Sequence, residues 1–156
     1  MGETVRRSQA ILRMPVNFVD ATLVMHDGER SEVIFFVPPG ETLQQFLVDP
    51  APFVPVMRSA RIVMVARAAI ACVSTPAAPR PPADPDEPEL PTERQRVALK
   101  LRSGTAFEGE LRWTVIEGRQ RTADHLNNPD SHILVHDDTH QHFVAKAHLA
   151  TLEELD

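Results

Sequence analysis

Histidines are the residues of this chain with the most obvious capacity for chemistry. Six of the seven lie between His125 and His148, and the densest run is His136-Asp137-Asp138-Thr139-His140-Gln141-His142. On a hairpin, His140 and His142 would share one strand face, with His136 near the turn on the opposing strand. Three imidazoles with Asp137 or Asp138 have the donor types that suit Zn or Ni. The same residues suit a solvated turn, in which Asp-Asp-Thr supplies local backbone hydrogen bonds. An internally similar stretch earlier in the chain reads Met57-Arg58-Ser59-Ala60-Arg61-Ile62-Val63 at the same place. That stretch has no metal ligand, which favours the turn, and neither a metal nor a cofactor is expected.

A second group is basic and aromatic: Lys100, Arg102, Arg112, Arg119 and Arg121 beside Trp113. Guanidinium groups contact phosphate and an aromatic ring stacks a base, so this is the natural place to look for nucleic-acid binding. Glu108, Glu110 and Glu117 are interleaved with it and neutralise much of its charge. Nucleophilic catalysis needs a hydroxyl or thiol beside an orienting base. Ser103, Thr122 and Ser131 have histidines in the same region, yet no spacing singles them out, and no G-x-S-x-G, P-loop or dinucleotide fingerprint is present. The chain is therefore not expected to be an enzyme.

Bulk properties are those of a folded protein: 42% hydrophobic and 24% charged residues, with net charge −6. Net negative charge works against nonspecific attraction to nucleic acid and anionic membranes. Cys72 is the single cysteine, which excludes an intrachain disulfide; within Ala68-Ala69-Ile70-Ala71-Cys72-Val73 it reads as a small buried hydrophobe. No stretch approaches the roughly 20 apolar residues of a membrane span, and Met1 to Arg7 lead into no apolar signal core, so a cytoplasmic location is expected.

The elements that must position these groups read as a duplication. Phe46 to Val56 aligns without a gap on His125 to Val135, and Val65 to Ala71 aligns on Val144 to Ala150 at the same offset. After one short gap, Leu23 to Gly28 aligns on Leu99 to Gly104. Each copy alternates apolar residues up to a turn dipeptide, Asp27-Gly28 or Ser103-Gly104. Further strands are expected over 32–37, 53–57, 61–66 and 70–73, and again over 107–116, 133–136, 142–145 and 149–152. Short helical or turn elements are expected at 41–48 and 122–127. Half of the 14 prolines fall between Ser74 and Pro91, which suggests an extended, acidic spacer. The expected divisions are an N-terminal helical or flexible segment (1–15), copy one (16–73), a Pro-rich linker (74–95) and copy two (96–156).

Five short strands, with a glycine turn after the first and a basic residue just before the last, resemble a small Sm-like barrel of the Hfq/LSm type. Val97-Ala98-Leu99-Lys100-Leu101-Arg102-Ser103-Gly104 through Gly109 is similar to the first Sm motif, and Phe143-Val144-Ala145-Lys146-Ala147-His148-Leu149 to the second. The resemblance implies a mainly β chain of two tandem five-stranded barrels and a tendency to assemble through edge strands. It also brings Lys146 and His148 into the nucleic-acid set. The departures are that Ala147 separates Lys146 from His148, that copy one has Arg67-Ala68-Ala69 with no histidine, and that Val33 replaces the second glycine.

The apolar stretch Phe46 to Ile70 exceeds what one small barrel buries, and surplus apolar surface marks an interface. Phe53, Val54, Met57, Ile62 and Met64 are its expected contact residues. The function expected is a non-catalytic assembly or adaptor protein, binding protein chains or itself through β-edges and this surface. An RNA-binding regulator using the basic face of copy two is the alternative, and no membrane partner is expected.

Overall fold

A computed structural model describes residues 16–77, Asp86, 92–114 and 121–156 of the chain. The expected N-terminal segment, most of the proline-rich stretch and Arg119 lie outside the described residues. Ten strands make the fold mainly β: β1 (Asn17–Met25), β2 (Arg30–Val37), β3 (Phe53–Arg58), β4 (Arg61–Ala66), β5 (Ile70–Pro76), β6 (Thr92–Leu101), β7 (Ala106–Thr114), β8 (His132–His136), β9 (His140–Ala145) and β10 (Leu149–Glu154). Two short helices, α1 (Leu43–Leu47) and α2 (Thr122–Leu126), and two single 3-10 turns, Arg67–Ala69 and Lys146–His148, complete it.

All ten strands belong to one sheet, in the order β10-β6-β7-β8-β9-β5-β1-β2-β3-β4, and every pairing is antiparallel. The N-terminal half runs β5-β1-β2-β3-β4 and the C-terminal half β10-β6-β7-β8-β9, so each places its last strand beside its first. The halves meet where β5 pairs β9, from Cys72↔Val144 to Pro76↔His140.

Local chemistry explains the turns. Gly28 and Gly104 follow the first strand of each half at φ 88° and 95°, a region that costs glycine little. Their N–H groups donate to Met25 O and Leu101 O, both at 2.9 Å. Helix α1 starts with a capping box, Thr42 Oγ1 accepting from Gln45 N while Gln45 Oε1 accepts from Thr42 N. Gly109 serves close packing instead: a Cβ there would sit 2.9 Å from the His136 carbonyl and against Val135.

Alternation builds two cores. Leu23, Val33, Phe35, Val37, Val54, Val56 and Val73 centre one, and Val97, Leu99, Leu101, Leu111, Val135 and Val144 the other. Cys72 is buried in the second core, and burial pushes its thiol up to about 11.

Two sequence expectations shift. Strand β5 runs on through Ser74, Thr75 and Pro76, and β6 begins at Thr92, so both ends of the expected linker are strand. The cause is pairing: Thr75↔Gln141 and Pro76↔His140 extend β5, and Thr92↔Thr114 starts β6. Residues 146–148, between the expected strands 142–145 and 149–152, form a 3-10 turn that places His148. Val54 is 1% exposed and belongs to the core, because it alternates with Phe53.

Candidate functional site

The junction of β5 and β9 gathers the polar chemistry of the described chain. Ser74 pairs with His142 across it and is buried, at 6% exposure. Ser74 Oγ lies 2.6 Å from His142 Nδ1, and His142 Nε2 lies 2.7 Å from Asp137 Oδ2. A carboxylate only accepts, so Nε2–H donates to Asp137, and Nδ1 shares a second hydrogen bond with Ser74 Oγ. Asp137 also accepts from the backbone amides of Thr139 and His140, at 2.8 and 2.6 Å. Burial alone would raise the Asp137 carboxyl, but these hydrogen bonds outweigh it and hold the group well below the usual carboxylate range.

Serine, imidazole and carboxylate in that order are the parts of an acyl-transfer triad. The Ser74 hydroxyl, however, is sealed in the sheet, and its role here is to tie β5 of one half to β9 and its turn in the other. Ser74 does not stand out as a site residue in the sequence, and Asp137 is read there only as a possible metal ligand, because the two meet through a strand pairing between the halves.

The histidine run does form a hairpin. His140 and His142 stack with ring centroids 6.2 Å apart, while His136 pairs opposite Gln141. Among the described residues, no group of three or more His, Cys, Asp or Glu could hold a metal ion.

The basic and aromatic set is dispersed. Arg112 and Trp113 are neighbours on β7 and so face opposite sides of the sheet. Arg112 Nε donates to Glu110 at 2.7 Å, and that bond holds the Glu110 carboxyl below its ordinary value. Trp113 packs on His125 at 4.5 Å between ring centroids. Lys100, Arg102 and Arg121 are exposed, on β6, on the turn after it and just before α2. Lys146 is engaged: Nζ donates to Asn128 O at 3.1 Å and to Asn128 Oδ1 at 2.6 Å. His148 Nε2 meets Ala68 O at 2.6 Å, a further bond across the seam between the halves.

Exposed apolar surface concentrates on the β3–β4 hairpin at one sheet edge. Pro55 pairs Met64 and Met57 pairs Ile62, which places these side chains and Phe53 on one face. Phe53, Ile62 and Met64 are 55%, 42% and 58% exposed, while Pro55 and Met57 are half-buried. Leu134↔Phe143 is the corresponding pair of the β8–β9 hairpin, yet Phe143 is only 7% exposed and joins the core of the N-terminal half. Strand β10 forms the other edge, with exposed Thr151, Glu153 and Glu154.

No helix of the described residues is long and apolar enough to cross a membrane. No family model, curated protein or solved structure matches the chain.

Proposed function

We propose that this chain is a non-catalytic assembly module, two tandem Sm-like five-stranded units, that joins further protein chains through its β-edges and the apolar face of its first unit. The favoured partner chain is a second copy, held head to tail. The observation that carries this reading is the contrast between Phe143 and Met64. Both lie at the same place of a fourth strand; Phe143 is covered by the neighbouring half, while Met64 stands 58% exposed on an edge with no neighbour among the described residues.

The internal junction supplies the geometry. It joins the last strand of one unit, β5, to the fourth strand of the other, β9. The open edges are β4, a fourth strand, and β10, a last strand. Equivalent hydrogen bonds, Arg67 N to Pro52 O and Lys146 N to Ser131 O, relate the units by an offset of 79 residues (146 − 67). Applying that offset to Thr75↔Gln141 and Val73↔Phe143 pairs Glu154 of one chain with Ile62 of the next, and Leu152 with Met64. Arg58 and Arg61 then approach the acidic end Glu153-Glu154, which is favourable charge pairing at an edge.

Such a contact is heterologous: it closes into a ring or continues as a filament. Light scattering on purified, nuclease-treated chain tests the reading. A multimer that falls to a 17.4 kDa monomer in Met64→Asp supports it. A monomeric wild type at tens of micromolar, or a multimer unchanged by Met64→Asp, overturns it.

A further inference from the structure

The seam between the halves contains a cavity of about 340 Å³, within the range of small-molecule sites. Leu47, Ile70 and Arg67 of the N-terminal half and His132, Ala147 and His148 of the C-terminal half are among its walls, and most of the lining is apolar. Arg67 is the notable polar member. Its Nη1 donates to Phe46 O at 2.7 Å and Leu47 O at 3.3 Å, its guanidinium lies 5.2 Å from the Phe46 ring centroid, and its Nε is buried with no hydrogen-bond partner among the described residues.

A guanidinium keeps its charge at every accessible pH. No carboxylate of the described residues lies within ion-pair distance of Arg67. Asp49, the one acidic residue of the lining, is exposed, and its Oδ1 accepts from the Ala51 amide at 2.8 Å. Burial and the nearby Arg67 both lower the His132 imidazole, which keeps that wall neutral. An apolar pocket whose lining includes a cation with no carboxylate partner calls for an anion on an apolar body.

We propose that this cavity binds a small carboxylate with an apolar body, of the arylalkanoate kind, its carboxylate facing Arg67 and its body against Leu47, Ile70 and Ala147. Because both halves line the site, such a ligand bridges the seam. The site does not depend on association between chains.

Calorimetric titration of the full chain with 4-phenylbutanoate, and with its neutral amide, tests this. The acid is expected to bind one per chain and the amide about tenfold or more weakly, the scale of one charge-assisted hydrogen bond. Arg67 also supports α1, so the second arm is Ala147→Phe, which fills the cavity from an exposed position. That variant is expected to abolish binding while melting as the wild type does. Equal binding of acid and amide, no binding of the acid at millimolar concentration, or binding that survives Ala147→Phe would each overturn the proposal. Uridine monophosphate binding at the same site more tightly than the acid would overturn it too, in favour of a nucleotide.

Discussion

Arg67 and Lys146 hold the same post in the two halves of the sheet. Each opens a 3-10 turn, and the amide of each donates at 2.9 Å to a carbonyl just before the third strand of its half, Pro52 O or Ser131 O. The side chain of each ties down the end of the preceding short helix. Arg67 reaches Phe46 O and Leu47 O of α1, and Lys146 reaches Asn128 beyond α2. A five-residue helix is far too short to be stable alone, so such anchors decide whether it forms.

Arg67→Ala is therefore expected to destabilise the fold by about 1–3 kcal/mol, because it removes charged hydrogen bonds to the Phe46 and Leu47 carbonyls at the end of α1. Lys146→Ala is expected to cost less, about 1 kcal/mol, since Asn128 can turn to water. Urea unfolding of both variants beside wild type reads the two costs directly.

Acid should weaken the fold in two separate windows. Burial lowers His132 and His125, so their neutral forms are favoured in the fold, and their contribution is present above the unfolded histidine value of about 6.5 and lost as pH falls below it. Asp137 is depressed by its hydrogen bonds; its contribution stands above about 3.9 and is lost only as pH falls further. His132→Gln is expected to flatten the loss of melting temperature between pH 7 and 5. Asp137→Asn is expected to lower stability at neutral pH and remove part of the loss below pH 4. A melting series across pH for the three proteins measures both slopes.

The β3–β4 turn carries stored strain. Ser59 and Ala60 have φ 50° and 62°, a left-handed conformation that β-carbons disfavour. Ala60 has no side-chain hydrogen bond to compensate. Ala60→Gly is expected to stabilise the chain by about 1 kcal/mol, offset in part by the greater freedom of glycine when unfolded. Chemical denaturation gives the value; a loss of stability would mean that the Ala60 methyl packs usefully.

Much of the strand pattern is local and was open to sequence reading. Leu111 and Trp113 alternate with polar residues, Gly28 and Gly104 mark turns, and Thr42 with Gln45 caps α1, all within a few residues of chain. Long-range pairing was not open in that way. Pro76 looks like the start of a linker because proline clusters begin there, yet pairing with His140 continues the strand. Phe53-Val54 reads as one apolar block, whereas alternation sends Phe53 outward and Val54 into the core. The same alternation places Arg112 and Trp113 on opposite sides of the sheet. The link from Ser74 to His142 and Asp137 was hidden for the plainest reason: Ser74 is 68 residues from His142 in sequence.

In the proposed assembly, β10 of one chain pairs with β4 of the next in the register of the internal β5–β9 junction. Cysteine pairing measures it most directly. Directly opposed residues of antiparallel strands have Cβ atoms about 5 Å apart, near disulfide reach. Native Cys72 is buried with a raised thiol pKa and stays out of the reaction. The double variant Ile62→Cys with Glu154→Cys, mildly oxidised, is expected to give a ladder of covalent multimers on a non-reducing gel, while Ile62→Cys alone gives none above dimer. Double-variant protein that stays monomeric after oxidation, or forms no more than Ile62→Cys alone, would contradict the claim.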